Sequence, residues 1–399
     1  MRKVLIAINN MRIGGAQKSL LAFLQELAAS EYAHDYEIHL LVMDPAGEYM
    51  QQLPGNVCLI TTPELRWLGG RVTTGLMRRC FSLRALLGEA SWILRRKLSL
   101  FPKGLNTEQK LWQSWRPFVP KLDGEYDFAI SYMDGPPNYW LTDKVSSRKK
   151  VLWVHSEYQK QKYDPAFDRR FFESCDAVVT ISDNCRDCIE KEFPQLEGKI
   201  HVLENITSAL NVIRMGEAFE PEEFGSAMKM KILSVGRLNW QKGFDIAIEA
   251  ARLLKARDEV FQWFVVGDGP ERAQLERQLE ESGVSDCFKL LGARENPYPY
   301  MKACDILVQP SRVEGRSIVL DEAKVFSKPI VTTNYTTVRD SIEHGRNGWI
   351  VDMTPGALCE GIARMMHDEA LRQRLTAYLE NQPKGNAQEL EKYVDLMMK

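Results

Sequence analysis

Short apolar runs, each followed by a polar or glycine-bearing break and an amphipathic stretch, recur along the whole chain. KVLIAI (3–8) is the first, and NNMRIGGAQKSLLAFLQELAAS follows it as a loop and then a helix with Leu20, Leu21, Leu24 and Leu27 on one face. Strand, glycine turn and helix in this order open a doubly wound α/β sheet. The same alternation returns at YEIHLLVM (36–43), YDFAISYM (126–133), KKVLWVHSEY (149–158), SCDAVVTIS (174–182) and KIHVLENI (199–206). Residues 207–228 lose the period and gather Glu217, Glu220, Pro221, Glu222 and Glu223, a linker composition. A second series then runs through MKILSVGRL (230–238), QWFVVG (262–267), CFKLLG, CDILVQP, PIVTTN and GWIV, and helices around 355–366, 368–381 and 386–398 close the chain. The pattern predicts two Rossmann-like doubly wound domains, 1–206 and 229–380, joined by the linker 207–228. The helix within 381–399 is expected to cross back to the first domain. A ligand cleft lined by strand carboxyl ends is expected between two such halves.

Composition adds little to this picture and removes several alternatives. At 399 residues, 44% hydrophobic and 27% charged, with a net charge of −2, the chain reads as an ordinary globular protein with no global case for nucleic acid. The opening MRKVLIAINN has too short an apolar run for a signal peptide, and no run approaches bilayer length, so the expected location is cytoplasmic. The eight cysteines are scattered, as reduced thiols are in a large chain. Cys185 and Cys188 form one C-x-x-C at helical spacing, with no second pair to complete a zinc site and no strand leading directly into it.

One segment departs from the average. Residues 66–116 hold eleven Lys and Arg against two acids, Glu89 and Glu108, interleaved with Trp67, Phe81, Leu86, Leu87, Trp92, Ile93 and Leu94. A basic amphipathic segment of this kind predicts contact with an anionic membrane surface. The competing expectation is a helical insert whose apolar side packs on the domain.

Chemistry gathers at strand carboxyl ends. PSRVEGRSIVLDEAKVFSKP (310–329) joins a strand to a helix through a loop with Glu314, Gly315, Arg316 and Ser317, and Glu322 follows on the helix. Free N–H groups at the helix start suit a phosphate. A helix running throughout would put the two carboxylates roughly 12 Å apart on one side, a span for a ligand with a sugar at each end and a diphosphate between. Arg237 and Lys242 flank Gly236 and Gly243 after the strand at 230, a plausible phosphate clamp. Gly267-Asp268-Gly269 ends the next strand with a further glycine turn, and Gly14-Gly15 does so in the first half. His155 stands just past the run Val151–Val154.

SVGRLNWQKGFDIAIEA, VVGDGPERAQLE, CDILVQPSRVEGRSIVLDEA and NGWIV resemble the family 4 retaining glycosyltransferases of the GT-B fold, of the bacterial surface-polysaccharide type. The likeness is dense over 230–355 and looser over 1–206. It implies that Arg237 and Lys242 bind the diphosphate of a nucleotide sugar, expected to be a UDP-sugar. Glu314 and His155 would lie at the donor sugar, with N–H groups of Arg316, Ser317 and Ile318 near it or the phosphate. Glu322 would hold the ribose, and Gly14, Gly15 and Gly269 would line the donor. No D-x-D occurs, so no metal or other cofactor is expected. The implied acceptor is a glycan or lipid-linked oligosaccharide of cell-surface polysaccharide or lipopolysaccharide synthesis, at the inner face of the membrane. Arg316-Ser317 and Phe326-Ser327-Lys328 depart from the usual pattern and leave the donor sugar open. The alternatives are a nucleotide-sugar epimerase of the same architecture, which needs no acceptor, and a non-catalytic glycan- or lipid-binding protein. A dehydrogenase lacks its glycine fingerprint here.

Overall fold

The computed structural model describes residues 1–62, 65, 83–155, 157–225 and 229–398. These form two compact units, one made of Met1–Asn205 with Glu389–Lys399 and the other of Ile206–Gln388. The first unit carries β1 (Arg2–Ile8), β2 (Tyr36–Val42), β3 (Cys58–Ile60), β4 (Glu125–Ser131), β5 (Ser146–Val154), β6 (Ala177–Thr180) and β7 (Ile200–Val202). They make one parallel sheet in the order β3-β2-β1-β4-β5-β6-β7. The central strands read as apolar runs because both faces are covered: Val4 to Ile8 and Val151 to Val154 are at most 2% exposed.

The second unit carries β8 (Met230–Val235), β9 (Phe261–Val266), β10 (Phe288–Gly292), β11 (Ile306–Gln309), β12 (Ile330–Thr333) and β13 (Trp349–Val351). Its parallel sheet runs β10-β9-β8-β11-β12-β13. Two buried clusters pack on it, one around Ala247, Trp263 and Leu358 and the other around Leu233, Leu320 and Tyr335. In each sheet the strand order reverses once, between β1 and β4 and between β8 and β11. Loops leave in opposite directions at such a point and open a crevice there.

One expectation changes. The stretch read as a linker holds a helix, Ala209–Gly216, capped by the Ser208 hydroxyl. Val212, buried, and the partly buried Met215 pack it into the second unit, and Gly216 rests so close to Phe326 that a Cβ would stand 2.6 Å from its ring. Glutamates cluster only after this helix, which is why the polar tail dominated the reading of the whole stretch. The last helix, Glu389–Met398, belongs to the first unit, where Tyr393 Oη donates to the Glu204 carbonyl at 2.9 Å and Arg2 Nη1 to the Met397 carbonyl at 2.9 Å.

Candidate active site

The β8/β11 crevice gathers much of the second unit's candidate chemistry. Beyond β11 the chain turns through Pro310 and Ser311 to Glu314, and the helix Ile318–Val325 starts only four residues later. Glu314 therefore stands on the loop, not on the helix as a continuous helix over 314–322 would require. Its Oε1 accepts from three side chains: Lys242 Nζ at 2.6 Å, Gln309 Nε2 at 2.7 Å and Ser311 Oγ at 2.6 Å. The Thr337 hydroxyl donates to the Glu314 backbone carbonyl at 2.8 Å. Gln309 extends the network, its Oε1 accepting from Ser317 Oγ at 2.7 Å. The hydroxyl at the helix N-cap is thus spent on Gln309 and makes no cap bond. The backbone N–H groups of Ser317 and Ile318 donate to no other backbone group among the described residues.

Lys242 reaches Glu314 because a short 3-10 turn, Trp240–Lys242, lifts it, with the Asn239 side chain accepting from the Lys242 N–H. Arg312 ties this turn to the Glu314 loop. Its Nη1 and Nη2 meet the two Asp245 oxygens at 2.7 and 2.6 Å, Nη1 also donates to the Trp240 carbonyl at 2.9 Å, and its backbone N–H donates to the Gln241 carbonyl at 2.7 Å. The guanidinium lies over the Trp240 ring, 5.3 Å from its centre. Arg237 is exposed on the same loop, with no ion pair among the described residues.

Two of the glycines have a packing task. A Cβ on Gly269 would lie 2.3 Å from the Leu238 carbonyl oxygen, and one on Gly243, at φ +66°, 2.1 Å from the Pro310 carbonyl oxygen. They let the loops after β8, β9 and β11 touch one another. By contrast, a Cβ on Gly14 would meet only the far end of the Gln17 side chain, so close backbone packing does not demand glycine there.

Arg316 is folded back on Asp321, Nε to Oδ2 at 3.3 Å, and Lys324 reaches the other oxygen of the same carboxylate at 3.0 Å. Glu322, 1% exposed, accepts from Tyr298 Oη at 2.9 Å. Sequence reasoning missed Gln309, Ser311, Arg312 and Asp321. Only the polar Gln309 at the end of an apolar strand offered a signal.

In the first unit, Asp134 follows β4 by three residues and His155 follows β5 directly. His155 Nε2 donates to the Tyr132 carbonyl at 3.1 Å, Nδ1 meets no partner among the described residues, and burial holds the ring down at about 4, neutral at ordinary pH. The His155 backbone N–H reaches Asp134 Oδ2 at 3.3 Å. Burial, reinforced by the charges of Glu108 and Asp168, pushes the Asp134 carboxyl up to about 7. Gly14 is the N-cap of the helix Gly15–Ala29 after β1 and makes no side-chain cap bond. Of the C-x-x-C, Cys185 is wholly buried and burial pushes its thiol up to about 11, a poor thiolate.

The described part of the basic segment shows which of its sides is covered. Residues 66–82, with Arg66, Arg71, Arg78 and Arg79, lie outside the described residues. The helix Leu83–Lys97 packs through its small face: Ala85 and Gly88 are buried, and Gly88 sits on the Trp115 ring so closely that a Cβ would stand 2.7 Å away. Leu83, Leu87 and Leu94 share the opposite face with Leu86 and Ile93 beside them, all exposed, Leu83 at 72%. Arg95, with Arg116 and Arg170, lines a pocket at the edge of this helix. Among the described residues no helix is long and apolar enough to cross a membrane.

Residues 217–382 match the family described as glycosyl transferases group 1. Among curated relatives, the amylovoran biosynthesis glycosyltransferase AmsK of Erwinia amylovora is 33% identical over 176 residues, 40% of this chain and 43% of that protein. The alpha-D-kanosaminyltransferase of Streptomyces kanamyceticus is 29% identical over 262 residues, 63% of this chain and 66% of that one. These matches thus span from under half to just under two thirds of the relatives' own lengths. Among solved structures, HepE of Anabaena in complex with UDP and glucose aligns over 100% of this chain and 99% of its own, with a TM-score of 0.70 at 15% identity. WaaG, a glycosyltransferase involved in lipopolysaccharide biosynthesis, aligns over 99% of both chains with a TM-score of 0.65 at 17% identity. At such identities the likeness shows the fold, which is GT-B.

Proposed function

We propose, from a chain that belongs to the glycosyl transferases group 1 family through residues 217–382, that this protein transfers a sugar from a nucleoside diphosphate sugar to a glycan or lipid-linked acceptor, with retention of configuration and without a metal. The observation that carries the reading is the cation–carboxylate pair Lys242–Glu314 across the β8/β11 crevice, beside the helix start at Ser317. Departure of a nucleoside diphosphate builds negative charge. Lys242, Arg237 and the N–H groups of Ser317 and Ile318 are the groups of this chain suited to stabilise it. In this reading Glu314 hydrogen-bonds hydroxyls of the donor sugar and Glu322 the ribose, while Gly269 keeps the donor loop close. Attack comes from the face the leaving group departs, and the leaving phosphate takes the acceptor proton. Uridine is the proposed base; HepE, of the same fold, was solved with UDP.

The acceptor is proposed to belong to surface-polysaccharide or lipopolysaccharide synthesis, and the chain to act at the inner face of the cell membrane. The outward leucines of Leu83–Lys97, with Arg84, Arg96 and Lys97 among them, support contact with an anionic bilayer. The deciding experiment is a thermal-shift screen of UDP-, GDP- and ADP-sugars, because a ligand bound only to the folded state raises the melting temperature. A UDP-sugar is expected to raise it. No response to any of the three would overturn the reading.

A further inference from the structure

The helices Leu83–Lys97, Thr107–Trp115 and Pro165–Ser174 enclose a pocket of about 370 Å³ in the first unit, a size common among small-ligand sites. Arg95, Arg116 and Arg170 line it together with Gln113, and Trp112 and Phe167 supply apolar walls. A single carboxylate answers the three guanidinium groups. Asp143 accepts from Arg116 Nη2 at 3.3 Å, Arg170 Nη2 at 3.2 Å and Trp112 Nε1 at 3.0 Å. Arg95 makes no ion pair among the described residues, and no acid is among those lining the pocket. More cations stand close by. Burial holds the Lys144 ammonium below its ordinary range; Asp143 opposes this, while the charges of Arg116, Lys121 and Arg84 add to it. The guanidinium groups are also held in place. Arg170 lies over the Phe171 ring, 4.0 Å from its centre, and Arg116 is tied to the same carboxylate. Both side chains remain about half exposed, and each hydrogen-bonds Asp143 through one of its five N–H groups. Gln113 Oε1 is buried with no partner among the described residues, an acceptor in need of a donor.

The position of this pocket separates it from the reaction. Asp143 lies near the end of the helix that runs back from β4, three residues before β5 begins at Ser146. The pocket is therefore tethered near the amino ends of the parallel strands, opposite the carboxyl ends where such sheets bind their substrates.

We propose that this pocket binds a phosphate ester of a small polyol, either as the headgroup of an anionic phospholipid or as a soluble ester. Guanidinium groups meet phosphate oxygens through paired N–H donors, and a phosphate neutralises the charge that Asp143 leaves over. A hydroxyl of the polyol gives Gln113 Oε1 the donor it lacks, and Trp112 and Phe167 cover the carbon skeleton. Arg95 belongs to the helix whose leucines are exposed, which places a lipid headgroup within reach of the same surface. The proposal uses residues of the first unit alone and does not depend on the glycosyltransferase reading.

The test is calorimetry on the full chain with glycerol 3-phosphate and with monomeric dihexanoyl phosphatidylglycerol. Saturable binding of at least one is expected on the parent. Arg95→Gln, which removes no hydrogen bond or ion pair among the described residues, should weaken it about tenfold, the worth of one charge-assisted hydrogen bond. Arg116→Gln should weaken it as well; if loss of the Asp143 contact harms folding, the Arg95 variant still decides. Two controls should leave the Kd within twofold: Arg346→Gln, which removes an equal charge from the second unit, and Lys242→Ala, which removes the cation paired with Glu314. Tighter binding of the lipid supports a headgroup site, and binding of the free ester at least as tightly supports a soluble ligand. No saturable binding on the parent, a Kd unmoved by Arg95→Gln, or one weakened equally by either control would overturn the proposal.

Discussion

Lys242 Nζ and Glu314 Oε1 stand 2.6 Å apart although 72 positions separate them in the sequence. The contact joins the loops after β8 and β11, the two strands between which the second sheet reverses. A cation and an anion of opposite proposed tasks, one for phosphate and one for sugar, are therefore held in one arrangement. Lys242 spends one of its three N–H donors on Glu314, and the other two meet no acceptor among the described residues.

Lys242→Ala removes the cation but leaves Glu314 with Gln309 and Ser311, so the loop should keep its shape. Glu314→Ala strands Lys242 instead. Each is expected to cut turnover of the best donor at least tenfold, and Lys242→Ala to weaken UDP binding by about 1.4 kcal/mol or more. Calorimetry with UDP and initial rates check this. Near-parental rates for both variants would remove the pair from the site.

Arg312 touches no proposed ligand position, yet it fixes the Trp240–Lys242 turn to the Glu314 loop through Asp245 and two backbone carbonyls. Arg312→Ala should raise the donor KM severalfold with a smaller change in kcat, since both loops remain but lose their mutual register. Arg312→Lys should rescue little, because a single ammonium cannot span both Asp245 oxygens. Steady-state kinetics separates the two parameters.

The leucine face of Leu83–Lys97 is the proposed membrane contact. Leu83→Ser, Leu87→Ser and Leu94→Ser combined should reduce co-sedimentation with vesicles containing phosphatidylglycerol at least fivefold. The melting temperature should change little, since all three side chains are already exposed. Vesicle binding that survives the triple variant would assign the contact elsewhere.

Two groups of the first unit predict opposite responses to pH. His155 falls from an ordinary 6.5 to about 4 on folding, so the unfolded chain binds the extra proton between those values. The stability tied to its neutral form is whole above pH 6.5 and is lost as pH falls toward 4. Asp134 rises from 3.8 to about 7, so its contribution is whole near pH 4 and is lost as pH rises toward 7. Asp134→Asn should therefore gain in melting temperature relative to the parent as pH goes from 5 to 8. His155→Gln should compare best with the parent at the acid end. Scanning calorimetry across pH 5–8 reads both, and parallel curves for parent and variants would contradict the assignment.

Most strand positions were legible because the central strands are covered on two faces and carry apolar runs; β3, where Cys58 and Leu59 are exposed, lacks that cover and was missed. Glu314, Lys242 and His155 were legible because they follow such runs directly. The helix Ala209–Gly216 was hidden by its length: eight residues make barely two turns, and the glutamates that follow dominate the composition of 207–228. The task of Gly243 and Gly269 was hidden because a glycine forced by a neighbouring loop looks the same in sequence as one that admits a ligand. Asp134 escaped notice for a related reason. An aspartate before Gly-Pro-Pro reads as a turn, and only the folded arrangement reveals its burial beside the His155 backbone N–H. Arg312 and Asp245 lie too far apart in the chain for any spacing to link them.

The last helix has a consequence for how this molecule is made. Tyr393 stacks on Phe23, 4.9 Å between ring centres, and lies 5.6 Å from Trp153, so a side chain near the C-terminus helps close the unit that begins at Met1. A ribosome must therefore reach Tyr393 before the unit that holds β1 can acquire its final layer. A truncation after Gln388 would damage the N-terminal half first, and the first unit could be produced alone only as a permuted chain with Glu389–Lys399 joined back to it.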